Sequence, residues 1–176
     1  MCSDINCLNI LHLVFFAHPF FIPHMRIEEA IKQKTFKSPQ HRAQVNIIYT
    51  AAWLNQFSSQ ALKPYGISIQ QFNILRILRG RRGEPATIKL LTSRMLDKMS
   101  NASRLVDKLV AKKMVERCQS DVDRRQVDIT ITDHGLRLLD QASAALETAT
   151  MVHLNNLDDQ ESSALSDLLD QLRGAE

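Results

Sequence analysis

The chain has 176 residues, 44% of them apolar, with five glycines and five prolines; this fits one ordinary domain with a sizeable core and excludes a disordered or fibrous chain. No apolar run reaches the roughly 20 residues that span a bilayer, and Cys2, Cys7 and Cys118 form neither a disulfide framework nor a metal-binding spacing, which fits a reducing cytoplasm. The net charge of +3 hides two opposed blocks: Arg76 to Arg125 carries fourteen Lys/Arg against six Asp/Glu, and Gln126 to Glu176 carries two against ten.

Residues 1–24 differ from the rest. The stretch from Leu8 to Ile22 is largely apolar but lacks a positive n-region and a small-residue cleavage site, so it does not read as a secretory signal. His12, His18 and His24 recur every six residues, a spacing that drifts around a helix and holds no metal. Met25 then opens a polar helix start, and the expectation is that translation begins there, with 1–24 a leader without function and 25–176 a single domain.

From about Gln40 to Leu62, Val45, Ile48, Tyr49, Ala52, Trp53 and Phe57 fall at helical spacing, and Pro64 stops the helix. Tyr65-Gly66 makes the turn. Ser68 and Gln71 form a capping box that opens a helix through Phe72, Leu75 and Leu78 to about Gly80. The loop Arg81–Pro85 leads to a helix at about 88–95, with Leu90, Leu91 and Met95 as core candidates.

A fourth helix is expected over about 98–113, joined to the third by a connection of only a few residues, as a helix-turn-helix needs. Leu105, Leu109 and either Met99 or Ala102 lie on its inward face. Ser100, Asn101, Ser103, Arg104 and Lys108 crowd the other faces, where small polar groups allow close approach to base edges and the cations reach phosphate or guanine. Next come a strand over 115–118 and an alternating strand over 126–131, joined by a basic tip. Arg124 and Arg125 at that tip suit a minor groove, with Asp123 capping the turn or holding Arg125. A basic block around this pattern is what a phosphate-binding surface requires.

In the acidic C-terminal part, Leu139, Ala142, Leu146, Ala149 and His153 follow one stripe and Leu138, Ala145 and Val152 an adjacent one. A helix with so broad an apolar face must bury it against more than one neighbour. Asp158 and Glu161 cap a last helix bearing Leu165, Leu168, Leu169 and Leu172. A homodimer is the expectation, because two recognition helices about 34 Å apart read a palindrome that one cannot cover.

The run Ser100-Asn101-Ala102-Ser103-Arg104-Leu105-Val106-Asp107-Lys108-Leu109, followed by Met114-Val115-Glu116-Arg117, Asp123-Arg124-Arg125 and Ile131-Thr132-x-x-Gly135, resembles the multiple-antibiotic-resistance regulator (MarR) family, as does Gln71-Phe72-x-Ile74-Leu75 upstream. The resemblance covers about 42–172. It implies a mainly helical fold with a small β wing: a winged helix-turn-helix over about 66–132 and dimerisation helices over about 40–63 and 133–173. It further implies a homodimeric regulator of transcription, with the fourth helix in the major groove and the wing in the minor groove of double-stranded DNA. Two positions depart from the family pattern: Lys113 stands where glycine usually precedes the Met-Val pair, and Ser120 where an aspartate often opens the wing. A left-handed Lys113 costs about 1 kcal/mol.

The family's aromatic-acid sensors bind ligand between the dimer helices and the winged domain. Tyr49, Trp53, Phe57 and Phe72 are candidates for such a pocket, for a small aromatic or apolar ligand, or simply for core. A repressor relieved by that ligand is the expected mode, with no cofactor and no metal, since His41, His134 and His153 are scattered. No cysteine lies between Ile27 and Arg117, against a peroxide sensor, and Cys118 is expected to be packed in its strand. The chain has no GxGxxG, P-loop, GxSxG or HExxH motif, which argues against an enzyme. The competing class is a winged-helix module for protein contact without DNA binding.

Overall fold

A computed structural model describes residues 25–119 and 126–174. The expectations for the leader, and for Asp123, Arg124 and Arg125 at the wing tip, lie outside the described residues. The chain divides into two compact units, 1–46 and 47–176.

In the first unit, a single turn of helix, α1 (Ile27–Ala30), takes the polar start after Met25, and Lys32 soon follows in a left-handed conformation (φ 54°). Helix α2 (Pro39–Leu62) begins here and continues into the second unit. The Ser38 hydroxyl accepts from the His41 N–H at 3.1 Å, which satisfies one donor of its first turn. The Glu28 carboxylate accepts from Arg42 Nε at 2.7 Å and from Nη2 at 3.4 Å. These hydrogen bonds from the guanidinium hold the Glu28 carboxyl well below the usual carboxylate range, at about 2.

In the second unit α2 ends at a 3-10 turn, Lys63–Tyr65, and Gly66 takes the left-handed conformation (φ 65°) that the turn requires. Helix α3 (Ile69–Gly80) is opened by the expected capping box: Ser68 Oγ accepts from the Gln71 N–H at 3.2 Å and Gln71 Oε1 from the Ser68 N–H at 3.1 Å. Helix α4 (Ile88–Arg94) starts at Thr87, whose hydroxyl accepts from the Leu90 N–H at 3.2 Å. Helix α5 (Ala102–Ala111), strands β1 (Val115–Gln119) and β2 (Val127–Ile131), helix α6 (Asp133–Leu154) and helix α7 (Asp159–Arg173) follow. Asp158 and Glu161 cap α7 reciprocally, as their spacing predicts.

The core gathers Ile74, Leu75 and Leu78 from α3, Leu91 from α4, Val106 and Leu109 from α5, Val115 and Ile129 from the strands, and Leu139 and Ala142 from α6. The hairpin is antiparallel, with Val115 opposite Ile131 and Gln119 opposite Val127. A feature absent from the sequence reading completes it. Ala86, in the loop before α4, exchanges two backbone hydrogen bonds of 2.9 Å with Ile129, so the wing has a third, one-residue strand at its base. The architecture is therefore mainly helical with a small antiparallel wing, as expected. Among the described residues no helix is long and apolar enough to cross a membrane.

Candidate nucleic-acid interface

Helix α5 begins at Ala102, four residues later than its composition suggests, and ends at Ala111 rather than Lys113. The reason is local hydrogen bonding. Asp97 accepts from the Met99 N–H at 3.0 Å and from the Ser100 hydroxyl at 2.7 Å, folding 97–100 into a turn. Asn101 Oδ1 then accepts from the Arg104 N–H at 3.0 Å and caps the helix. Short polar side chains compete with helix in this way and favour caps over interiors. The Ser100 hydroxyl, followed by the Met99 N–H, holds the Asp97 carboxyl below its ordinary range. The connection Met95–Asn101 is correspondingly longer than expected, and Asn73 Oδ1 on α3 braces it by accepting from the Leu96 N–H at 3.0 Å.

The buried face of α5 is Ala102, Val106 and Leu109. Ala102 rather than Met99 points inward, Met99 being 93% exposed, and Val106 takes the central place while Leu105 is only half-buried. Ser103, Arg104 and Lys108 are exposed on the helix. Asn101 is the cap and Ser100 lies in the turn before it, so these two stand at the entrance of the helix rather than along it. Thus one helix presents a hydroxyl and two cations to solvent, anchored from below by apolar packing.

Beyond α5 the backbone takes a sharp corner. Lys113 is left-handed (φ 58°), the strain expected where glycine is absent. A single hydroxyl holds that corner: Thr132 Oγ1 donates to the Lys113 carbonyl at 2.8 Å and accepts from the Gly135 N–H at 3.0 Å, capping α6. A Cβ on Gly135 would come within 2.1 Å of the Met114 carbonyl oxygen, so Thr132-x-x-Gly135 is the spacing that lets α6 close on the start of β1. Only Val115 of β1 is buried; Glu116 to Gln119 are exposed, including Cys118, which was expected to be packed.

The basic block does not point outward as a whole. Arg81 pairs with Glu84 at 3.0 Å and donates to the Pro85 carbonyl at 2.8 Å, Arg79 meets Asp140 at 3.0 Å, Lys112 donates to the Gly66 carbonyl, and Arg117 pairs with Asp107 at 2.5 Å. Arg81 finds its partners within its own loop, whereas Arg79, Lys112 and Arg117 need partners on other elements, which no local pattern announces.

The aromatic candidates separate. Phe72 is in the core at 5% exposed, whereas Tyr49 is exposed. Trp53 and Phe57 are edge-on at 4.9 Å, with the His153 ring 4.8 Å from Trp53 and 4.3 Å from Phe57. None of the four lines the groove of about 490 Å³ bordered by Asn55, Ser59, Gln70, Asn73, Leu96 and Asp97.

A helix anchored by its apolar face, with its polar face bare beside a hairpin, defines a winged helix-turn-helix protein. Residues 65–126 match the sequence model of the MarR family. No curated protein matches the chain by sequence. Among solved structures it is similar in fold to a mutant MarR from E. coli complexed with operator DNA, at 24% identity and TM-score 0.65 over 72% of this chain and 89% of that one. CouR from Rhodococcus jostii RHA1 bound to p-coumaroyl-CoA has 20% identity and TM-score 0.65 over 80% of this chain and 98% of that one. An organohalide-sensing transcriptional regulator in its 2,4-dichlorophenol-bound form has 19% identity and TM-score 0.71 over 80% and 85%.

Proposed function

We propose that the protein is a sequence-specific double-stranded DNA-binding regulator of transcription, acting as a homodimer on a palindromic operator and repressing until a small aromatic or apolar ligand releases it. The observation that carries the reading is α5: its buried face fixes the helix while Ser103, Arg104 and Lys108 stay exposed on the other side. In this reading α5, entered at Ser100 and Asn101, lies in the major groove, and Arg124 and Arg125 serve the minor groove. The homodimer is supported by apolar side chains left exposed on the helices outside the winged segment. These include Ile48 on α2, Val152 on α6 and Leu165, Leu168 and Leu172 on α7, a surface that a lone chain would hold against water at a cost. The ligand class is supported by the two ligand-bound relatives in fold and by the half-buried Trp53 and Phe57.

The test is selection of duplexes from a random library, followed by binding across a range of salt. Enrichment of a palindrome, with affinity falling steeply as salt rises, is the expected result. A chain that enriches no sequence and shows no salt-dependent affinity is instead a protein-contact module.

A further inference from the structure

Resting on the DNA-binding reading, we propose that Arg117 and Asp107 form a clamp that fixes the wing against the recognition helix, and that Arg117 is a positioning residue that serves sequence reading without touching DNA. Arg117 Nη1 lies 2.5 Å from Asp107 Oδ1, and Nη2 donates to the Ser103 carbonyl at 3.4 Å. The two anchors are one helical turn apart, so the planar guanidinium is held along the axis of α5 rather than at a single point. They also bracket Arg104, and Lys108 adjoins Asp107.

Two features give the clamp a purpose. First, β1 leaves the core after Val115, since Glu116 to Gln119 are exposed, and Arg117 ties this outlying part of the strand to α5. The core sets where the hairpin starts; this pair sets the angle at which it continues. Second, Asp107 is the sole carboxylate of α5, on a helix whose other exposed charges are cations. Left unpaired among phosphates it would repel them; paired with Arg117 it does not. The side chains remain 31% and 55% exposed, and pairs that open to water add little to fold stability. Core packing of Val106, Leu109 and Val115 already joins the two elements, so what the pair adds is orientation.

The decisive variant is the double substitution Asp107→Asn with Arg117→Gln, which leaves the net charge unchanged. Binding is measured across a salt series on the palindromic duplex that the wild-type chain selects and on a mixed-sequence duplex of equal length. The double variant is expected to lose about tenfold on the selected duplex, to keep its affinity for the mixed one and to keep the salt slope. Arg117→Lys, which keeps the charge but not the two-point fork, should show the same selective loss in smaller measure, and it stands in if the double variant does not fold. Wild-type affinity in a folded double variant overturns the clamp, because charge neutralisation alone is then enough. A salt slope lowered by about one phosphate overturns it too, because Arg117 is then a direct contact. A wild-type chain that selects no duplex removes the DNA reading itself, and the clamp with it.

Discussion

Arg104 has its backbone N–H committed to the Asn101 cap while its side chain is exposed, which is the arrangement of a side chain kept for a partner. Arg104→Ala should weaken binding to the selected palindrome by about 1–3 kcal/mol, if the guanidinium reads a base, with the oligomeric state unchanged; titration of labelled duplex decides it. Gly135 is constrained by space and not by backbone angle. Its missing Cβ is what allows the Met114 carbonyl to approach, so Gly135→Ala should destabilise the fold by about 1–3 kcal/mol in denaturant unfolding. Lys113 is the opposite case, strained by angle. Lys113→Gly should relieve that strain and raise stability by about 1 kcal/mol or less, since glycine also loses more entropy on folding.

Elements here are set at their ends. Ser68, Thr87, Asn101, Thr132 and Asp158 each accept a hydrogen bond from a first-turn N–H of the helix they open. That is why helix starts were readable from sequence except where two caps compete, as Asp97 and Asn101 do ahead of α5. The link between α1 and α2 is different, because it is an ion pair. Glu28 has a folded value of about 2 against an ordinary 4.5, so its contribution is complete above about 4.5 and is lost as the pH falls through about 2. The pair is partly open to water, its Arg42 and Glu28 side chains 41% and 22% exposed, so overall stability should move little. The Glu28 carboxyl titration followed by NMR should nevertheless be depressed, and should return toward its ordinary value in Arg42→Gln. An ordinary titration in the unaltered chain would remove the pair.

At the scale of the molecule, the apolar faces of the C-terminal helices decide between a lone chain and a dimer. Leu168 and Leu172 are 63% and 67% exposed in the single chain. If the chain were monomeric, replacing both by Asp would be harmless, since they touch little. If two copies bury this face, each leucine contributes about 1.5–3 kcal/mol and the double change should dissociate or unfold the protein. Sedimentation at micromolar concentration separates the two outcomes; an Asp-substituted chain that stays a stable dimer places the interface elsewhere.

The sequence by itself determined most of the segments that are helix or strand, the caps at Ser68 and Asp158, and that Leu75, Leu91 and Leu109 face inward. These follow from interactions within a few residues and from the periodicity of burial. It also identified the exposed group Ser103, Arg104 and Lys108, because a helix whose apolar positions are known has its polar face fixed as a consequence. Only the tertiary structure decided that Ala86 pairs with Ile129, that Asp140 takes Arg79 and Asp107 takes Arg117, and that Met114 presses on Gly135. Each joins positions brought together by packing, and a basic residue carries the same charge in sequence whether it ends in an ion pair or in solvent.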